Sequence, residues 1–493
     1  MTQTDSPYFA AIDLGSNSFH MLVARFQDSR IEIVDREKEM VQIARGLDTS
    51  NNLSKEAQDR ALSCLDRFSE RLRGIPAEHI RAVGTKTLRA ANNANAFLRA
   101  AEKALGAPIQ IISGYEEARL VYAGLSHDVV NEHDQRLVID IGGASTEFIL
   151  GRGHQTFEME SLSMGCVSYT ANFGLDADKL TAKSMHNAYL EACSKLEQIR
   201  SRYLQTGWQV AYGTSGTMRA VAGLLGTTEG GAVISRKALE NFTKNAISNK
   251  QLEAPGITKL RRDVLPAGLA ILRAIFEQLQ FDKIHVSDAT LKEGLIYDNI
   301  GRFTNQDARV ATVNLLLDKY RIDTEHAKRV SETARHLWKQ INNAPVLGGL
   351  SRTKILDWAS KLHETGLSIS HSGHHQHGYY ILRYSDLAGF SRHEQYIMAN
   401  LVRSHRKKIV VGRFEDMDKA ALAAFYPLLF CIRIAVLVHR RRENQPILPE
   451  LSVKKNNFKL KLSEEWLEAH PLTRSGLEQE TQQLKKIDIN LIL

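Results

Sequence analysis

Cysteine is scarce in this chain: four residues in 493, at Cys64, Cys166, Cys193 and Cys431, with no pair at metal or redox spacing. That excludes a disulfide framework and a cysteine-based redox or metal motif, and a reducing cytoplasm is the expected setting. Low-complexity tracts are absent. The start, Met1-Thr2-Gln3-Thr4-Asp5-Ser6-Pro7, lacks the basic and apolar regions of a signal peptide. Long clean apolar runs are also missing. The longest, Ala420 to Val438, contains Pro427 and Arg433 and reads as a buried helix, so no membrane association is expected.

What is present fits an ordinary globular chain, 43% hydrophobic and 24% charged, too long for one core and expected to form three or four domains. The net charge of +8 is uneven: residues 304–493 hold 29 Lys and Arg against 20 Asp and Glu. The basic excess gathers at Arg403 to Lys408, His439 to Arg442 and Lys454 to Lys461. It is a solvated helical surface or a field that attracts a polyanion.

Two segments 127 residues apart nearly repeat each other. Ala11-Ile12-Asp13-Leu14-Gly15-Ser16-Asn17-Ser18 precedes the apolar run from Phe19 to Ala24. Val138-Ile139-Asp140-Ile141-Gly142-Gly143-Ala144-Ser145-Thr146-Glu147 precedes Phe148 to Leu150. In each, a strand delivers an aspartate into a turn of small residues whose N–H groups can cradle an anion. A strand-end carboxylate suits Mg²⁺, which takes one or two carboxylates plus phosphate oxygens. One such turn means little; two copies with matching strands predict a shared phosphate–metal cleft. Asp13, Asp140 and Glu147 are the metal candidates, Glu147 reaching back from the outgoing strand or else an exposed strand carboxylate. Gly213-Thr214-Ser215-Gly216-Thr217 is a third turn after a strand. Phosphate contacts are assigned to Gly15, Ser16, Asn17, Ser18, Gly142, Gly143, Ala144, Ser145, Thr146, Gly213, Ser215 and Gly216. Arg89 is a phosphate clamp or a surface arginine. Glu116 and Glu117 share one helical first turn and point apart, so at most one faces the cleft; Glu117 is a water-activating base or a plain helix-start carboxylate.

Strands and helices alternate to about Arg302, which predicts an α/β architecture. Leu53–Leu72 and Thr181–Leu204 read as helices, Ile80–Gly84, Ile109–Ile112 and Val210–Tyr212 as strands. Beyond that, Val310–Asn342, Thr353–Leu362, Glu394–Arg406 and Ala420–Arg442 read as helices, Pro446 and Pro449 as a linker, and Lys454–Leu462 as part of a small strand-containing tail. His363, His371, His374, His375 and His377 cluster, but Ser368–Gly378 reads as a structural or polyanion-facing loop rather than a metal centre.

These motifs resemble the exopolyphosphatase/guanosine pentaphosphate phosphatase (Ppx/GppA) family, of the actin-like superfamily. The resemblance rests on Ala11 to His20, Ile112-Ser113-Gly114-Tyr115-Glu116-Glu117-Ala118-Arg119, Asp140 to Glu147, Met164-Gly165-Cys166-Val167 and Gly213 to Thr217. It implies two actin-like (RNase H-like) domains, 1–124 and 125–303, with the active site between them, then a helical HD-like domain, 304–443, and a small C-terminal α+β domain, 444–493. It also implies Glu117 as catalytic base with Glu147 beside it, Asp140 and Glu147 as Mg²⁺ carboxylates, Gly142 to Ser145 as phosphate loop, Arg89 on phosphate, and a homodimer with a basic groove. Tyr115 departs from the polar residue usual there, and His363-Glu364 is a degenerate pair that puts metal-dependent HD chemistry in doubt.

The reaction implied is hydrolysis of a terminal phosphoanhydride. Ala144 and the ending Trp466 to Leu472 lean towards pppGpp; Asn299 to Phe303 and the His371 to His377 segment lean towards polyphosphate. Specific nucleic-acid binding is not expected. A kinase or a nucleotide sensor on the same fold stays open, although no aspartate base is as well placed as Glu117.

Overall fold

The computed structural model describes residues 7–27, 30–129, 133–226, 232–253, 257–304, 306–341, 351–444 and 447–493. Met1 to Ser6, Asn342 and Pro446 lie outside them. The chain divides into two compact units, Met1–Asp307 and Ala308–Leu493.

The first unit holds two sheets built on one plan. In the first, β1 (Tyr8–Leu14), β2 (Phe19–Gln27) and β3 (Arg30–Glu39) form an antiparallel meander, and β4 (Ile80–Gly84) and β5 (Ile109–Ile111) extend it in parallel beyond β1. In the second, β6 (Gln135–Ile141), β7 (Thr146–Arg152) and β8 (Gln155–Leu162) repeat the meander, β9 (Val210–Thr214) lies parallel to β6, and β10 (Val233–Ser235) and β11 (Lys283–Val286) complete the order β10-β11-β9-β6-β7-β8. Parallel neighbours need helical crossovers, supplied by Lys55–Arg71 and Ala94–Leu105 in the first half and by Ala182–Thr206 in the second. This duplicated actin-like, RNase H-like α/β architecture turns the sequence repeat into a spatial one.

The helices Gly114–Asp128 and Leu291–Phe303 share a core with both sheets, where Val121, Leu125, Leu295 and Ile296 meet Ala11 and Leu22 of one sheet and Val138 and Ile149 of the other. Their backbones approach closely at glycine. A Cβ on Gly294 would stand 1.8 Å from the Leu120 carbonyl oxygen, so only glycine fits there. A buried ion-pair network ties the same two helices together: Arg119 joins Glu116 at 2.7 Å and Asp298, and Arg81 reaches Asp298 at 3.3 Å.

The second unit is helical, with a three-stranded sheet of β12 (Glu450–Lys454), β13 (Asn457–Lys461) and β14 (Asn490–Ile492). Leu451, Phe458 and Leu460 pack in the same core as the helices. The span expected as one helix from Val310 to Asn342 is two, Ala308–Lys319 and Thr324–Gln340. Arg321 takes a left-handed φ of 48°, and Asp323 caps the second helix by accepting from His326 N–H. The expected loop Ser368–Gly378 is partly helical, because His374–Tyr384 forms a helix that buries Ile381 and Leu382. Among the described residues one helix, Lys419–Val438, is long and apolar enough to cross a membrane. Most of it is buried in the core, and its Arg433 pairs with Glu480 at 2.7 Å.

Candidate active site

The duplicated strand ends converge on one cleft in the first unit, a cavity of about 140 Å³ lined by both turns. That is room for a phosphoryl group and a few waters, a liquid water occupying about 30 Å³. Asp13, Gly15, Ser16, Asn17 and Ser18 come from the first turn, and Asp140, Gly142, Gly143, Ala144, Ser145 and Glu147 from the second. The copies match in register: Asp13 pairs with His20 across β1–β2, and Asp140 with Glu147 across β6–β7. Two helices of ten residues or more, Ser215–Leu224 and Leu291–Phe303, turn their first residues to the cleft through Ser215, Gly216 and Thr217 and through Leu291 and Lys292. Such N-termini favour anions. Ser215 sits at φ 87°, a strained setting for a residue with a side chain, at the point where β9 hands over to its helix.

Four carboxylates share the cleft. Burial pushes Asp13 up to about 7, against the pull of Lys292, with Asp140 and Glu147 adding to the rise. Burial also raises Asp140, although the Thr214 hydroxyl donates to its Oδ2 at 2.6 Å. Glu147 is raised well above the usual range by burial, then by Glu117 and Asp140, while Ser161 donates to its Oε1 at 2.8 Å. Glu117, raised to about 8 chiefly by burial, has Arg89 Nη1 3.7 Å from Oε2. That oxygen is buried without a hydrogen-bond partner, as is Asp13 Oδ1. The neighbouring Glu116 turns away into the Arg119 pair.

Opposite charge lines the other part of the wall. Lys38, Arg219, Arg261 and Lys292 all face the cavity. Their field, after burial, presses His20 down to about 3. Arg261 lies flat against Gly216, where a Cβ would stand 2.0 Å from its Nη2.

Three assigned residues do not line the cavity. Arg89 stands behind Glu117 and donates to the Ile112 carbonyl at 2.5 Å. Thr146 is buried and donates to the Met164 carbonyl at 2.5 Å. Gly213 lies within β9, where a Cβ would meet Met218 at 2.9 Å. Sequence reading missed the cations Lys38, Arg219, Arg261 and Lys292, since each is one basic residue among 64. Only Lys292, one residue into a helix opened by Thr290, carried a local signal.

The donor set fits a hard divalent cation. Orphaned Asp13 Oδ1 and carboxylates that push one another's pKa upward are what a bound Mg²⁺-like ion would relieve.

Paired actin-like halves, an acidic strand-end cluster and a cationic wall define a phosphate-handling cleft. A model of the Ppx/GppA phosphatase family matches residues 22–303, and that of its domain III matches residues 308–481. The chain is 37% identical over 490 residues to a guanosine-5'-triphosphate,3'-diphosphate pyrophosphatase of Pseudoalteromonas translucida, covering 98% of each. It is 38% identical to one of Vibrio vulnificus, covering 99% of this chain and 98% of the other. An exopolyphosphatase structure from Cytophaga hutchinsonii superposes with a TM-score of 0.54 at 24% identity, over 59% of this chain and 96% of that one. An Aquifex aeolicus family member gives 0.51 at 20%, over 60% and 98%. These two likenesses concern the fold. The chain belongs to the Ppx/GppA phosphatase family.

Proposed function

We propose that this protein hydrolyses the terminal 5'-phosphoanhydride of pppGpp, giving ppGpp and phosphate. The observation that carries the reading is Glu117 Oε2, buried without a hydrogen-bond partner in a cleft that also holds Asp13, Asp140 and Glu147. The names borne by the full-length relatives support the choice of substrate.

Glu117 accepts a hydrogen bond from water, orients it towards the terminal phosphorus and takes its proton as the O–P bond forms. The bond from phosphorus to the bridging oxygen breaks, and ppGpp leaves with that oxygen. Burial raises the Glu117 pKa, so its carboxylate is a better proton acceptor than that of a surface glutamate, and Arg89 offsets part of the rise. Arg219, Arg261 and Lys292 hold the phosphate oxygens, with the helix starts at Ser215 and Leu291 adding their dipoles. Asp140 and Glu147, with Asp13, would hold Mg²⁺, which supplies charge neutralisation on the phosphate oxygens. Water attack needs no acceptor pocket, which separates this reading from a kinase.

Polyphosphate is the second substrate in this reading, favoured by the basic balance of residues 304–493, 29 against 20. The homodimer and the cytoplasmic setting belong to the same proposal. Phosphate release from pppGpp and from long-chain polyphosphate, measured side by side with Mg²⁺ and no acceptor, tests it. Faster turnover of pppGpp is expected; nucleotide binding with no phosphate release from either would overturn it in favour of a sensor.

A further inference from the structure

The second unit contains a cavity of about 630 Å³ that the phosphatase chemistry does not use. On its wall, His326, His363 and Glu364 each present a ligand atom, and all three atoms lie within 4.8 Å of one another. They come from two places in the chain. His326 is in the first turn of the helix Thr324–Gln340, and His363-Glu364 follows the helix Arg352–Lys361. In the sequence a metal at the histidine-rich segment is disfavoured because His363 is followed by Glu364 rather than aspartate and Ser368 to Gly378 reads as a loop. The structure instead brings His363 to a histidine 37 positions earlier in the chain.

The hydrogen bonding around these rings leaves nitrogens with unused electron pairs. His363 Nδ1 lies 2.7 Å from the Ser360 carbonyl, which can only accept, so Nδ1 carries the proton and Nε2 a lone pair. His405, on the same wall, repeats this with the Val402 carbonyl at 2.6 Å, and its Nε2 is buried with no partner. His326 Nδ1 is likewise buried and unpartnered. His363, His326 and His405 are 1%, 3% and 2% exposed, so water does not readily compensate them. Glu364 is held by Arg442, which also pairs with Asp323 at 3.0 Å. A ring anchored through Nδ1–H to a carbonyl, as at His363, and a carboxylate oriented by an outer partner, as at Glu364, are how proteins set metal ligands.

We propose that His326, His363 and Glu364 form a site for one divalent first-row transition ion of the Zn²⁺ or Mn²⁺ class. Two imidazoles and one carboxylate select such ions over Mg²⁺, whereas the catalytic cleft offers carboxylates. Donors about 2.1 Å from a tetrahedral ion stand about 3.5 Å apart, so three donors that now lie within 4.8 Å of one another need only a small closure on binding. Three protein ligands leave a fourth position open to the cavity. Arg406 and Arg440 on the same wall oppose a bare dication, so an anion that offsets them tightens the ion's hold.

The test is titration of the full-length, chelator-stripped protein with Co²⁺ and Zn²⁺ in excess Mg²⁺, with and without inorganic phosphate. Stoichiometry is read by elemental analysis and coordination by the Co²⁺ visible spectrum. One ion per chain is expected, not displaced by Mg²⁺ and held more tightly with phosphate. His326→Gln and Glu364→Gln should each weaken binding at least tenfold. Arg442→Gln, which leaves all three ligands in place, should weaken it about 10- to 100-fold. Circular dichroism checks that each variant is folded. Absence of stoichiometric binding under both conditions would overturn the proposal. So would a Co²⁺ spectrum and affinity unchanged in the folded His326→Gln, Glu364→Gln and Arg442→Gln variants.

Discussion

Asp140 and Glu147 face each other across the β6–β7 pair, in the same register that sets Asp13 opposite His20 across β1–β2. Duplication thus gives two equivalent strand ends with different chemistry. One half opposes its aspartate with a carboxylate, the other with a histidine held neutral by burial and the field of Lys292, Lys38, Arg219 and Arg261. The clustered carboxylates suit a cation, and the cationic wall suits phosphate oxygens.

The pair of Arg89 and Glu117 predicts a shift in the pH profile. Arg89 lowers the pKa of Glu117, so Arg89→Gln should move it upward. The ascending limb of kcat/KM against pH should then shift to higher pH, with activity recovering at the alkaline end. A profile lowered uniformly, with the limb in place, would assign Arg89 to substrate binding alone.

The crowded carboxylates also predict a stability effect. Asp13 is raised from 3.8 to about 7 in the folded protein, so the folded state binds more protons than the unfolded state across that window. Stability of the metal-free protein therefore falls as pH rises from about 4 to about 7. Asp13→Asn should raise the Tm of metal-free protein by a few degrees at pH 8, hardly at pH 4, and should lower activity. Calorimetry at the two pH values checks this; an equal change at both would show that charge is not the cause.

Gly216 and Arg261 should behave as a unit. A methyl at Gly216 would collide with a flexible guanidinium rather than with backbone, so Gly216→Ala should fold normally while displacing Arg261. KM for pppGpp should rise more than kcat falls. Adding Gly216→Ala to Arg261→Ala should cost little more, a non-additivity that a double-mutant cycle measures.

Much of this architecture was legible in the sequence because it was written twice. The repeat around Asp13 and Asp140 pointed to both turns, and the helix read over Leu53–Leu72 forms as Lys55–Arg71, capped by Ser54 accepting from Ala57 N–H. The helix Leu265–Gln278 left no signal, since nearly every side chain in it is buried and no polar face marks its period. The cationic wall, as an assembly, was invisible for another reason. Lys38, Arg219, Arg261 and Lys292 come from four separate elements and meet only through the tertiary fold. His326 was missed in the same way, as a single histidine in an ordinary amphipathic helix.

The basic second unit should matter for a polymer more than for a nucleotide. Replacing Arg406, Lys407 and Lys408 together with glutamine should raise KM for long polyphosphate and flatten its salt dependence, by analogy with counterion release from nucleic acids. Hydrolysis of pppGpp should change little. Equal loss on both substrates would show that these charges serve the catalytic cleft itself.

The most direct test of the central claim is the turnover of pppGpp by Glu117→Gln. The variant keeps the shape of the side chain and removes only its capacity to accept the proton. With Glu117 as the base, kcat should fall at least about 10²-fold while pppGpp binding stays close to that of the unaltered protein. Near-normal kcat in a folded Glu117→Gln protein would contradict the account.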